Sequence, residues 1–251
     1  MRPAARHFGP GTLFTGQGIY EESSTAKHAL GERLELGDRV FHYASAGEAL
    51  YAGYLGQQAA FGGATTTLQN TQAVAVAAPI GSTKIYTTAL STAQDAGAFA
   101  DGYMAIWDAT TTGMCYTYRI KTNSALATSG TASYVELYDP IHIALTTNDQ
   151  VYLIANPYKS IIAAGSTASG AAMGVPPISV TSAYYFWLQT GGPCAVYPEA
   201  ALDLDESVCR SDATAGTVCK MASATAGQVV GYALHIGTAA EAAIVYLTLA
   251  G

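Results

Sequence analysis

Tyr103-Met104-Ala105-Ile106-Trp107, a turn-forming stretch from Asp108 to Gly113, then Met114-Cys115-Tyr116-Thr117-Tyr118-Arg119-Ile120: this passage decides the fold class. Two runs rich in aromatic and branched residues flank a short polar joint. Successive side chains of a strand point to opposite faces, so such runs read as neighbouring strands rather than as helix. The pattern repeats in both directions. Upstream stand Arg39-Val40-Phe41-His42-Tyr43, Ala73-Val74-Ala75-Val76-Ala77 and Lys84-Ile85-Tyr86-Thr87. Downstream come Tyr134-Val135-Glu136-Leu137-Tyr138, Gln150-Val151-Tyr152-Leu153-Ile154, Ile178-Ser179-Val180 and Tyr184-Tyr185-Phe186-Trp187-Leu188-Gln189. Gly191-Gly192-Pro193 reads as a turn into Cys194-Ala195-Val196-Tyr197, and the chain closes on strands over 228–234 and 243–249. Short strands at roughly 8–12 residue intervals mark a sandwich or barrel. No segment sustains helical periodicity beyond about ten residues. The expected class is therefore mainly β, a β-sandwich or barrel, carrying an extended N-terminal arm.

The arm is read from residues 1 to about 25, where Gly9, Pro10, Gly11, Gly16 and Gly18 separate isolated apolar residues and no period emerges. A free tail lacks large apolar side chains. Phe8, Leu13, Phe14, Ile19 and Tyr20 are accordingly the candidate interface residues, expected to dock on a neighbour. Composition shifts divide the chain into an arm and connecting segment over 1–60, a β-rich region over 61–165 and a C-terminal barrel or sandwich over 166–251. The span 61–251 is open to reading as one domain.

Charge is scarce. Of 251 residues, 11 are Lys or Arg and 18 are Asp or Glu, 12% of the chain, where soluble domains average about 25%. Gly (26) and Tyr (17, against 6 Phe) cover surface in place of ions. A net charge of −7 lacks the basic stripe that nucleic-acid binding needs. Half the residues are apolar, which excludes disorder. Nothing between Lys159 and Glu199 is charged, yet Gly165, Gly170, Gly174, Pro176 and Pro177 interrupt any run long enough to span a bilayer as a helix. The basic start from Met1 to Pro10 has no apolar segment after it, so no signal peptide is read, and synthesis in the cytoplasm is expected.

Site chemistry is sparse. The five histidines, His7, His28, His42, His142 and His235, are scattered without metal-ligand spacing, and His42 and His235 sit inside strand patterns. Tyr43-Ala44-Ser45-Ala46-Gly47 lacks the first glycine of a nucleophile elbow. Gly16-x-Gly18 places Glu21 where a dinucleotide loop needs its third glycine. Asp203, Asp205, Glu206 and Asp212 lack the glycine and late glutamate of a calcium loop. The expectation is no catalysis, no metal and no cofactor; a hydrolase would have to gather acids such as Asp203, Asp205 and Asp139. Of the four cysteines, Cys115, Cys194, Cys209 and Cys219, the last two flank a Ser/Asp/Thr/Gly loop and can meet across a hairpin, as thiols or as a disulfide. The rings of Tyr184, Tyr185 and Trp187 fit either a core or a sugar-stacking platform.

Three blocks carry a resemblance. Gly31-Glu32-Arg33-Leu34-Glu35-Leu36-Gly37-Asp38-Arg39-Val40-Phe41-His42-Tyr43-Ala44, followed by Gly47-Glu48-Ala49-Leu50-Tyr51-Ala52-Gly53, resembles an opening common in structural proteins of tailed phages. So do Gly174–Thr181 running through Tyr185–Val196, and Gly227–Ala233. The resemblance implies a β-rich capsid decoration (cement) protein, often a homotrimer, seated on the outside of a virion head against the major capsid protein. It carries no catalytic residue over. A major shell subunit is disfavoured because its fold contains a long spine helix. The rival expectation is a receptor- or glycan-binding module of a tail fibre or surface protein.

Overall fold

The computed structural model describes residues 16–59, 70–89, 93–108, 114–128, 133–167, 169–221, 227–235, 238 and 241–249. The architecture is mainly β, as the alternation predicts. In chain order the strands are β1 Arg33–Leu36, β2 Arg39–Ser45, β3 Gly56–Gln58, β4 Asn70–Ala73, β5 Lys84–Thr87, β6 Tyr103–Asp108, β7 Met114–Asn123 and β8 Ser133–Leu137. They continue as β9 Gln150–Ile154, β10 Ile161–Ala163, β11 Ala172–Gly174, β12 Tyr185–Val196, β13 Ser207–Arg210, β14 Val218–Lys220, β15 Val229–Ala233 and β16 Ala243–Thr248. Every strand pair is antiparallel.

Among the described residues these strands form three sheets. Seven strands run in the order β1-β2-β12-β16-β15-β13-β14, six in the order β4-β9-β6-β7-β8-β5, and β3 lies between β10 and β11. The middle of the chain thus builds one lobe, while β1 to β3 join the C-terminal strands in the other, across the boundary drawn near residue 60. Where the chain leaves and re-enters the second lobe, the Ala59 N–H donates to the Ser160 carbonyl at 3.3 Å.

Alternation explains the core of the six-stranded lobe. Met104 and Ile106 of β6, Ile120 of β7, Val135 and Leu137 of β8, and Val151 and Leu153 of β9 all face inward. Phe99, Leu126, Ile141 and Leu145 from connecting segments close over them. Each such side chain contributes about 1.5–3 kcal/mol by leaving water.

The first half of β12 is buried on both faces. Phe186 and Leu188 pack with Ala44, Leu50, Ile161 and Val180 on one side, and Trp187 packs with Phe41 and Tyr43 on the other. A strand covered on both faces reads as a continuous apolar run, which is how Tyr185-Phe186-Trp187-Leu188 stands in the sequence.

The turn expected at Gly191-Gly192-Pro193 is absent, because β12 runs through it. The register on β2 shifts between Gln189 and Gly191, Gly192 takes φ +79°, and a Cβ there would collide with the Asp38 carbonyl oxygen. Pro193 lies beyond the last residue pairing with β2, opposite Tyr246 of β16. The Leu249 N–H donates to the Thr190 carbonyl, which by alternation makes Pro193 and Tyr246 a non-hydrogen-bonded pair. The proline's missing N–H therefore removes no ladder bond.

The lobes meet through polar side chains. Buried Asn156 donates through Nδ2 to the Leu30 carbonyl at 3.1 Å and the Asp101 carbonyl at 3.3 Å. The Lys159 ammonium donates to the Ala98 carbonyl at 2.9 Å, and burial holds its pKa below the ordinary lysine value. Among the described residues no helix is long and apolar enough to cross a membrane.

Candidate interaction surface

The described end of the N-terminal segment is tied to its own sheet. Gln17 is buried, and its side chain bridges three groups. Its amide donates to the carbonyls of Glu21 and Tyr185, each at 2.7 Å, and its Oε1 accepts the Tyr43 hydroxyl at 2.6 Å. The Trp187 indole N–H donates to the Gln17 carbonyl at 2.8 Å. His28 leans on the rings of Tyr43 and Trp187, with Nδ1 3.0 Å from Glu32. Ile19 packs on the Phe41, Tyr43 and Trp187 cluster of its own chain, and Tyr20 is 62% exposed. Phe8, Leu13 and Phe14 lie outside the described residues.

This arrangement settles the place of the aromatic run. Trp187 is 1% exposed and cannot offer a face to a sugar, while Tyr184 and Tyr185 are half-buried. The three rings do not form a stacking platform.

An exposed aromatic strip lies elsewhere, on the outer face of the seven-stranded sheet. Directly opposed residues share a face, and the register aligns Pro193 of β12 with Tyr246 of β16, Tyr246 with Tyr232 of β15, and Tyr232 with Ser207 of β13. Tyr232 and Tyr246 stack with centroids 5.2 Å apart and planes 9° from parallel. The next row pairs Ala195 with Ile244, and Leu234 donates its N–H to the Ile244 carbonyl. Tyr232, Leu234 and Ile244 are 39%, 43% and 44% exposed, and neither row carries a charge. Sequence reading caught both strands but not this face, which only the cross-strand register assembles.

Beside the strip opens a cleft of about 360 Å³, walled by Tyr20, Arg39, Pro176, Pro177, Pro193 and Tyr197. Arg39 is held by the Phe41 ring at 5.3 Å and by the Tyr20 hydroxyl at 3.3 Å. Tyr197 continues through Tyr54 to exposed Tyr51, with successive centroids 5.6 and 5.5 Å apart.

The six-stranded lobe presents a different surface. Arg119 pairs with Asp101 at 3.1 Å and sits over Tyr138, and Lys121 pairs with Glu136 at 2.8 Å while Lys84 lies over Tyr134. The Lys121–Glu136 hydrogen bond raises the lysine pKa and lowers the glutamate pKa. Ions and rings interleave here, whereas the strip is free of ions.

The candidate acids do not converge. Asp203 and Asp205 are exposed in the turn that leads into β13, and the Asp203 N–H donates to Glu206 at 2.9 Å. Asp139 stands on the other lobe, lining a shallow cleft with Tyr116, Arg119 and His142. Among the described residues no three His, Cys, Asp or Glu side chains gather in a way that holds a metal ion. His42 is buried, with Nδ1 3.0 Å from the Thr190 hydroxyl and Tyr158 stacked 4.6 Å away. Burial first, and Arg33 second, push its pKa down to about 4. It is a neutral core residue. Comparison with protein-family models, with curated proteins and with solved structures finds no match.

Proposed function

We propose that this chain is a virion structural protein, a decoration protein that seats on the outer surface of a tailed-phage head as a homotrimer and stabilises the shell. The observation that carries the reading is the uncharged strip of Tyr232, Leu234, Ile244 and Tyr246, on a chain of which only 12% is charged. Depletion of charge with enrichment of tyrosine is the composition of an interface core. The resemblance of residues 31–53, 174–196 and 227–233 to phage structural proteins supplies the kind of partner. Binding at many equivalent lattice positions multiplies individually weak contacts through effective concentration.

The test is titration of the purified chain onto expanded, undecorated heads of the phage that encodes it, with its mass measured in solution. The expected result is a trimer that binds to saturation, with Ile244→Glu weakening binding about tenfold or more by placing a charge in the strip. A monomer that ignores the heads would sink the proposal.

One observation favours the second reading, a receptor- or glycan-binding module. The Tyr51, Tyr54 and Tyr197 ladder borders the Arg39 cleft, with Tyr51 exposed and the other two rings half-buried, and exposed rings of this kind pack on sugars. Binding on a glycan array that is lost in Tyr51→Ala would favour it over the first.

A further inference from the structure

Cys209 of β13 and Cys219 of β14 are direct cross-strand partners, and their sulfurs lie 3.1 Å apart as free thiols. The Met221 N–H donates to the Ser207 carbonyl at 2.9 Å, and the Ser211 N–H to the Thr217 carbonyl at 3.1 Å. Counting inward from either bond makes Cys209 and Cys219 a hydrogen-bonded pair, for which Cα atoms stand about 5.5 Å apart. That lies inside the range of about 4.4–6.8 Å that a disulfide spans. The sulfurs are within reach of each other, and closing the bond needs the two Cβ atoms to draw somewhat nearer than the usual spacing of a hydrogen-bonded pair.

We propose that Cys209 and Cys219 form an oxidative modification site, closed to an intrachain disulfide by a low-molecular-weight disulfide such as oxidised glutathione. Cys219 is half-buried while Cys209 is 2% exposed, so Cys219 meets the reagent first. Its thiolate attacks one glutathione sulfur, the glutathione S–S bond breaks, and one glutathione thiolate leaves with the proton that Cys219 gave up. The Cys209 thiolate then attacks Cys219 Sγ in the mixed disulfide and expels the second glutathione. Two protein thiols are oxidised and one glutathione disulfide is reduced to two thiols.

The other cysteines stand apart. Cys115 lies on β7 in the other lobe. Cys194 is buried on β12, and burial pushes its thiol up to about 12.

The link would staple an edge. β14 is the last strand of its sheet, and its hairpin is anchored by the Gly216 N–H to the Ala164 carbonyl at 2.7 Å and the Leu55 N–H to the Gly216 carbonyl at 2.8 Å. Gly216 takes φ +75° with the Tyr54 ring where a Cβ would stand. Closure holds this turn to β13 independently of those contacts. The reaction is also slow at neutral pH. Burial, the hydrogen bond with Cys209 and the carboxylates of Glu199 and Asp212 push the Cys219 thiol up to about 12. The rate should therefore climb about tenfold per pH unit through the neutral and mildly alkaline range.

The experiment uses the full chain carrying Cys115→Ser, reduced, freed of reductant and incubated with oxidised glutathione at about pH 9 and about pH 8. Intact mass and non-reducing tryptic maps are then read. The expected product has lost two hydrogen atoms, retains no glutathione and joins peptide 160–210 to peptide 211–220, forming about tenfold more slowly at the lower pH. Adding Cys194→Ala should leave the link in place, and adding Cys209→Ala should leave glutathione on Cys219. The proposal is overturned by a stable adduct on Cys219 with Cys209 intact, by loss of the link in the Cys194→Ala protein, or by thiols that stay reduced while a urea-unfolded control oxidises.

Discussion

His42 shows how one buried side chain sets a pH response. The unfolded chain protonates this imidazole near 6.5, whereas the folded chain resists protonation down to about 4. Above 6.5 the ring is neutral in both states and pH has no leverage through it. Between 6.5 and about 4 the unfolded state binds a proton that the folded state refuses, so stability falls as pH falls, by at most about 1.4 kcal/mol per pH unit. Below about 4 both states are protonated and the loss levels off. His42→Gln can still hydrogen-bond Thr190 but takes no proton. Urea unfolding midpoints measured from pH 7 to pH 4 should therefore decline less steeply for the variant than for the parent, and equal slopes would refute the assignment. The alternation of Phe41, His42 and Tyr43 already placed this residue in a strand. The role of Gln17 was illegible, because an isolated glutamine in a glycine-rich stretch signals nothing until Tyr43, Trp187 and Tyr185 are brought around it.

Among the elements, some alternating runs were readable almost to their ends, although Ala73–Ala77 contributes only Ala73 to a strand (β4, Asn70–Ala73) and Ile178–Val180 forms none. β5 and β9 coincide with the runs Lys84–Thr87 and Gln150–Ile154. The short polar strands were not, and Gly56–Gln58 is an example: three residues carry no period, and they become a strand only because Ile161–Ala163 and Ala172–Gly174 pair on either side. The glycine pair before Pro193 misled for a different reason. Gly-Gly-Pro is turn chemistry, but here it serves a bulge that brings β12 against the Asp38 carbonyl while its pairing on β16 continues. Gly192→Ala should consequently lower unfolding stability by about 2 kcal/mol or more, since it combines a left-handed backbone with a collision against a carbonyl. Chemical denaturation measures this directly, and a loss under about 0.5 kcal/mol would mean that the bulge relaxes freely.

At the level of the whole molecule, the charge deficit turns out to be unevenly distributed. On the six-stranded lobe ions stand paired beside the rings of Tyr134 and Tyr138, while the strip from Pro193 to Tyr232 has none. Composition announced that some surface lacked charge. Only the sheet order Pro193–Tyr246–Tyr232 says which. The junction of Ala59 with Ser160 has a separate consequence. The described residues on either side of the six-stranded unit, Ala59 and Ser160, meet at one place, which is the arrangement expected of a guest module inserted into a host, and excision is the natural test. Replacing residues 61–154 with a short glycine-serine linker removes the guest and keeps Tyr158 stacked on His42. The shortened chain should stay folded, with Cys194 still shielded from alkylation in native buffer; rapid labelling of Cys194 would show that host and guest fold only together. Should the shortened chain stay folded, the junction is a site where this chain can take on new surfaces by replacement rather than by point substitution.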